Sequence, residues 1–286
     1  MCRLQGIEDT LFIPMEARIY SSKYFPEYFY DEKALELEKK IPGNVLEKIR
    51  DGSSEYTMLA SVARYYNIDL MAKNFIDQHV DKCNIVNLGA GLETISYRLN
   101  KPNVNFYEVD LPEPMEIRKK FIEAPENEVN ISGDMFELKW TDEIDTMLPT
   151  LIIISGVFQY FHENDIVPFI SKLKGIFPEG ELIFDATNEV GVKYADKYVK
   201  KTGNTSAKIC FYVNDAEKFA EKLKMTLVEK RLFYTDARKL LKKKIKLYTK
   251  IAMRVTDNGN RAILIQDRKS TRRTPVTRSS RMPSSA

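Results

Sequence analysis

The residues best suited to chemistry begin in NIVNLGAGLETISYRL, residues 84–99. An apolar run ends at Leu88, Gly89 and Gly91 make a tight turn, and a helix follows. Such a turn lets a ligand approach the backbone and face the N-terminus of a helix. Position 94 is Thr, so the third glycine of the dinucleotide fingerprint G-x-G-x-x-G is missing, which argues against a pyrophosphate cofactor. Nineteen residues after Gly91, YEVDLP places Asp110 at the end of the next strand, where a parallel sheet hydrogen-bonds a ribose diol. Glu108 shares strand parity with Asp110, so both point to one face; Asp110 is preferred because it lies nearer the carboxyl end. Asp134, in ISGDMF, follows the next strand in the position suited to an adenine amino group.

Those side chains need a sheet to hold them. NIVNL, VNFYEV, VNIS, LIIIS and ELIFDA read as strands, with helical stretches starting at Leu92, Pro114, Asp142 and Glu163 between them. Strands alternating with helices predict an α/β fold, a mostly parallel sheet covered on both faces. Before it, residues 11–50 read as short helices around Pro26 and Pro42, and Glu55–His79 as one long helix. Beyond Asp215 the pattern predicts a helix, the strand TLVEKRLFY and a basic helix over residues 238–250 that buries Leu240, Leu241, Ile245 and Tyr248. A last β-like pair follows, IAMRV and RAILIQ, split by DNGN. The division expected is an N-terminal helical extension (1–80), a ligand-binding core (81–266) and a tail (267–286).

Composition narrows the classes. With 43% hydrophobic and 30% charged residues, and Gly and Pro at 12 each, the chain is neither collagen-like nor broadly disordered. No apolar run is long enough to span a bilayer and the start lacks the pattern of a signal peptide, so a cytoplasmic protein is expected. Three Cys and two His, widely spaced, leave no metal site. The net charge of +3 is concentrated after Gln266, where DRKSTRRTPVTRSSRMPSSA holds six Arg/Lys against one Asp; without that stretch the body is mildly acidic. The stretch resembles a conceptual translation of sequencing-adapter DNA and is set aside from fold reasoning, which removes the basis for a nucleic-acid partner.

LGAGLETISYRL, YEVDLP, GDMF, GVFQYF and GELIFDA together resemble the leucine carboxyl methyltransferase family, class I enzymes that use S-adenosylmethionine and include polyketide-tailoring O-methyltransferases. The resemblance covers about residues 15–265. It implies a seven-stranded Rossmann-like sheet with the cofactor at the strand carboxyl ends and an N-terminal helical lid. Carried over, Gly89 and Gly91 lie against the methionine part, Asp110 binds the ribose hydroxyls, and Asp134 and Met135 flank the adenine. Arg64, in SVARYYNID, matches an arginine for the cofactor carboxylate, and Lys23, in SSKYF, matches loosely a lysine serving the same end. One position departs from the pattern: Ser155 stands after the fourth strand where the family has Glu, with Glu163 as a substitute acid.

Methyl transfer needs positioning and dehydration more than acid–base groups. His162, at the start of HENDIVPFI, is the candidate base, and Tyr160 a candidate pocket residue. A carboxylate acceptor needs no base at pH 7, whereas a phenol gains from one. Tyr194, Tyr198, Phe211 and Tyr212 are candidate pocket walls. The expected activity is methylation of a small-molecule hydroxyl or carboxylate, a protein carboxylate being the other acceptor class, without a nucleic-acid or membrane partner. A NAD-dependent oxidoreductase would share the glycines and Asp110, and a catalytically silent cofactor-binding protein is the reading that Ser155 favours.

Overall fold

The computed structural model describes residues 7–193 and 209–269. Tyr194, Tyr198 and the chain after Lys269 lie outside the described residues. Helices α1 (Ile7–Tyr24), α2 (Glu32–Glu38), α3 (Gly43–Gly52) and α4 (Glu55–Gln78) precede strand β1 (Cys83–Leu88). There follow α5 (Ile95–Leu99), β2 (Val104–Asp110), α6 (Pro112–Phe121), β3 (Glu128–Ser132), β4 (Thr150–Ile154), α7 (Glu163–Ile176) and β5 (Gly180–Thr187). The C-terminal part holds α8 (Ala216–Lys222), β6 (Met225–Leu232), α9 (Thr235–Leu240), α10 (Leu247–Asn258) and β7 (Ala262–Lys269).

The seven strands form one sheet in the order β3-β2-β1-β4-β5-β7-β6. β3, β2, β1, β4 and β5 run parallel, and β7 is antiparallel to both β5 and β6. The strand order reverses between β1 and β4, and ligands of open α/β sheets bind in the crevice that such a reversal opens at the carboxyl ends. The expected sheet is therefore present, with the glycine turn at that crevice.

The longest of the N-terminal helices packs on the sheet. Met58, Leu59, Val62, Ile68 and Phe75 of α4 share one buried cluster with Ile85, Phe106, Ile153 and Leu264, so α4 covers one face of the sheet. The opposite face packs Val86, Tyr107, Ile152, Phe184 and Ile265 against Trp140 and the apolar side of α7. α4 starts at a capping box in which the Ser54 hydroxyl accepts from the Thr57 N–H and the Thr57 hydroxyl accepts from the Ser54 N–H.

Four local expectations fail. Between β3 and β4 the chain makes two 3₁₀ turns, Met135–Glu137 and Lys139–Glu143, pinned by buried Trp140, and no α-helix starts at Asp142. The basic helix is broken: α9 ends at Leu240 and α10 begins at Leu247, burying Leu241 and Ile245 but leaving Leu240 and Tyr248 exposed. IAMRV belongs to α10, which buries Thr249, Met253, Thr256 and Asp257 at helical spacing, and DNGN ends that helix, with the Gly259 N–H donating to the Val255 carbonyl. β7 runs through Lys269, three residues past the expected tail boundary, because Arg268 pairs with both Glu181 and Thr226.

Candidate cofactor site

Leu88 ends β1, and the chain turns at Gly89 (φ +74°) and Gly91 (φ +50°), conformations that side-chain-bearing residues rarely adopt. At Gly89 an added Cβ would sit 2.4 Å from Val157 Cγ2. The Gly89 and Ala90 N–H groups both donate to the Val109 carbonyl, at 2.9 and 3.1 Å, which stitches the turn to the end of β2. Asp110 reaches back across it: Oδ2 accepts from the Gly91 N–H at 2.7 Å, and Oδ1 from the Leu111 N–H at 2.7 Å. Burial raises the Asp110 pKa, while those two N–H groups and Arg118 pull it down. A carboxylate has about four lone-pair sites, so acceptor capacity for a diol remains.

Glu108 faces inward. It is fully buried, its Oε1 accepts from Asn87 Nδ2 at 2.9 Å, and burial together with nearby Glu128 and Glu93 pushes its pKa well above the carboxylate range against the pull of Arg118. Asp110, by contrast, stands at the carboxyl end of β2. Asp134 follows β3 and caps a 3₁₀ turn, its Oδ1 accepting from the Phe136 N–H at 2.9 Å. Met135 is buried in the cluster with Tyr107, Val109 and Trp140.

The second half of the site lies at the ends of β4 and β5. Register pairs Ile154 with Phe184, so Ser155 follows beside Asp185. Asp185 Oδ1 accepts from the Gly156 N–H at 2.6 Å, and Oδ2 pairs with Arg64 Nη1 at 3.3 Å. Arg64 lies so close over Gly156 (φ +72°) that a Cβ there would be 2.8 Å from Nη1. Burial lowers the Arg64 pKa, but Asp185 together with Tyr65 and Tyr160 more than compensates and the net direction is up. Tyr160, in the 3₁₀ turn Phe158–Tyr160 after β4, is 41% exposed; desolvation raises its phenol pKa, against the pull of a hydrogen bond with Gln159 and of Arg64. Sequence reasoning missed Asp185, although an acid closing the apolar run ELIF was a usable signal, the same one that marked Asp110.

The remaining expectations fare differently. Lys23 pairs with Glu38 at 2.6 Å and lines a cavity of about 340 Å³ with Glu16, Tyr20, Arg50, Glu55 and Lys246. That cavity lies among the N-terminal helices and includes none of the strand-end residues, so the loose match for Lys23 is not supported. The N-terminal cation that meets the glycine loop is Arg18, whose Nη2 donates to the Leu92 carbonyl at 2.5 Å and Nη1 to Thr94 Oγ1 at 2.9 Å. His162 is the exposed N-cap residue of α7 and makes no capping hydrogen bond. Glu163 is engaged by Lys222 on the surface, away from its expected part as substitute acid. Phe211 is buried against Phe158, Phe184 and Phe219, a core residue and no pocket wall, whereas Tyr212 is exposed.

Two enclosed polar atoms at the crevice, Ser155 Oγ and Arg64 Nε, have no hydrogen-bond partner among the described residues. Such atoms are costly unless something else satisfies them. The donor set fits a ligand that carries a diol at one end and charged groups at the other.

A family model described as leucine carboxyl methyltransferase matches residues 14–173. The chain belongs to that family. S-adenosylmethionine is its cofactor, and it is a methyltransferase. It is 24% identical over 206 residues, 71% of this chain and 75% of the relative, to the tetracenomycin polyketide synthesis O-methyltransferase TcmP of Streptomyces glaucescens. It is 21% identical over 204 residues, 65% of this chain and 68% of the relative, to the S-adenosyl-L-methionine-dependent methyltransferase dpfgK of Gibberella zeae. In fold it resembles a putative methyltransferase from Thermobifida fusca, with a TM-score of 0.54 at 14% identity, covering 89% of this chain and 94% of that one. It also resembles magnesium protoporphyrin IX methyltransferase from Synechocystis with bound SAH, with a TM-score of 0.51 at 11% identity, covering 82% and 99% of the two chains. With this family placement the oxidoreductase reading loses its ground, as the absent third glycine had indicated.

Proposed function

We propose that this methyltransferase methylates an oxygen, a hydroxyl or carboxylate, of a small molecule. The observation that carries the reading is the divided crevice: Gly89, Gly91 and Asp110 on one side of the switch point, Ser155, Arg64 and Asp185 on the other. The similarity to an O-methyltransferase of polyketide synthesis supports the choice of oxygen and of a small acceptor.

When bound, the cofactor supplies an electrophilic methyl group on a sulfonium. The residues of the chain then have positioning work. Asp110 takes the ribose hydroxyls with its remaining acceptor sites, and the glycine turn lets the ligand lie against the backbone. Asp134 and Met135 border the adenine. Arg64 offers its unused donors to the cofactor carboxylate. Tyr160, with a raised pKa, keeps its proton at neutral pH and donates a hydrogen bond to the acceptor oxygen. His162 lies exposed at the start of α7 and is assigned no proton transfer. An acceptor carboxylate, ionised at pH 7, needs none, whereas a hydroxyl acceptor would give its proton to water.

The test is to incubate the full chain with methyl-labelled S-adenosylmethionine and a panel of phenols and aromatic or aliphatic acids. Label in a small organic product is expected, and its release by mild alkali separates esters from ethers. Label found only on protein, on nitrogen, or nowhere would overturn the reading.

A further inference from the structure

The geometry points to Asp185 as the ligand for the α-ammonium group of the cofactor's methionine end, with Arg64 as its partner for the carboxylate. This rests on the cofactor site proposed above and names a residue that neither the glycine motif nor the strand-two carboxylate reveals. The two charges stand side by side at the β4/β5 edge, 3.3 Å apart, and neither is saturated. Asp185 accepts from Gly156 N–H through one oxygen and meets Arg64 through the other, which leaves about half of its four lone-pair sites. Arg64 carries five N–H donors, and its buried Nε has no partner among the described residues. Beside them Ser155 Oγ is also enclosed and unpartnered.

An anion and a cation held together, each with spare capacity, form a receptor for a zwitterion. An α-amino acid group presents a carboxylate and an ammonium a few ångströms apart, and S-adenosylmethionine ends in that group. The arginine fork suits the carboxylate. The ammonium has three donors and no acceptor, so it seeks oxygens, which Asp185 and Ser155 supply. Ser155 is neutral, so the negative charge for the ammonium comes from the neighbouring strand. Gly156 N–H holds the carboxylate through one oxygen and Arg64 meets it through the other with a single nitrogen, so the carboxylate is positioned without a bidentate arginine pair.

The experiment is calorimetry on the full chain with S-adenosylhomocysteine and with its analogue lacking the α-amino group. Wild type is expected to prefer the amino compound at least tenfold. In Asp185→Asn that preference falls to within about twofold, with the larger loss of affinity falling on the amino compound, and Ser155→Glu in the same chain restores it. Should the amide variant not fold, Asp185→Glu, which keeps the charge and shifts it by one methylene, is expected to cut the preference several-fold. An unchanged preference in the folded variant overturns the assignment, as does an equal loss for both ligands, the signature of a purely structural ion pair. Wild type that binds neither ligand would instead overturn the cofactor site itself.

Discussion

Asp110 accepts from the Gly91 and Leu111 N–H groups, and in the site proposed above its remaining lone pairs take the ribose. Asp110→Ala therefore removes the ribose acceptors and strands two N–H donors. We expect S-adenosylhomocysteine affinity to fall by about 10- to 100-fold, on the scale of 1.5–3 kcal/mol for hydrogen bonds to charged groups, as read by calorimetry. Gly91→Ala acts on the backbone instead. Its φ of +50° costs a side chain about 1–2 kcal/mol, and the new Cβ would meet Leu11 Cδ2 at 3.0 Å. A lower melting temperature together with weaker cofactor binding is the expected result, and an alanine variant as stable as wild type would refute it. The turn and the strand ends were legible in the sequence because their signals are local: a glycine pair ending an apolar run, and an acid at the end of the next one. Asp185 carries a similar local signal, but its significance depends on β4 and β5 lying side by side with Ile154 opposite Phe184. Lys23 pairs with Glu38 on the far side of α1, while Arg18, five residues earlier, reaches the glycine loop, a difference of helix face that the local spacing does not reveal.

Elements were legible where burial follows one period and obscure where two periods compete. IAMRV alternates like a strand, yet its surroundings let Thr249, Met253 and Thr256 face inward at helical spacing, and the helix wins. In β7 the alternation is genuine: Ile263 and Ile265 are buried in the cluster on one face, and Asp267 has the same parity. Asp267 lies opposite Leu182 and Leu227, is 0% exposed, and neither carboxylate oxygen has a partner among the described residues. Burial pushes its pKa up to about 7. A raised acid pKa means that the folded state holds the proton longer than the unfolded chain. The cost of this carboxylate is thus absent below about pH 4, grows as pH rises, and is complete above about pH 7. Asp267→Val is expected to stabilise the protein by about 1–3 kcal/mol at pH 8, and by less at pH 5, in urea unfolding. A variant no more stable than wild type at pH 8 would show that the carboxylate finds solvent. This acid is also the first residue of the stretch read as foreign to the fold, and the apolar alternation of β7 breaks at it.

Across the whole molecule, the glycine loop is held by buried charge drawn from distant parts of the chain. Arg98 Nε and Nη2 bond Asp69 of α4 at 2.8 and 2.9 Å, and its Nη1 meets Glu93 at 2.7 Å and Asp31 at 3.3 Å. Arg18 of α1 pairs with Glu93 at 3.2 Å and Asp31 at 3.5 Å. On the other side Arg118 donates to the Gly91 and Glu93 carbonyls at 3.3 and 2.6 Å and pairs with Glu128 at 2.8 Å. α1, the residue before α2, α4 and the glycine loop are thus tied together by buried ion pairs through Arg18, Asp31, Asp69, Glu93 and Arg98. Glu93 is the hub. Burial alone would raise its pKa, but Arg98, Arg18 and the Thr94 N–H outweigh it and hold the carboxyl down to about 2. A depressed acid pKa stabilises the fold fully above the unfolded value of about 4.5, and that contribution drains away as pH falls from there toward 2. The shift corresponds to about 3 kcal/mol at neutral pH. Asp69, Glu108 and Asp110, raised by burial, have the opposite pH slope, so the total acid response of wild type mixes both signs. Comparing wild type with Glu93→Gln isolates the hub. The variant is expected to be less stable by about 3 kcal/mol at pH 7, with the gap narrowing between about pH 5 and pH 3 as the wild-type carboxylate begins to lose its advantage. A gap that stays constant over that range would mean that the neutral amide fails for reasons of shape, and that the arginines are not what binds the loop to the helices.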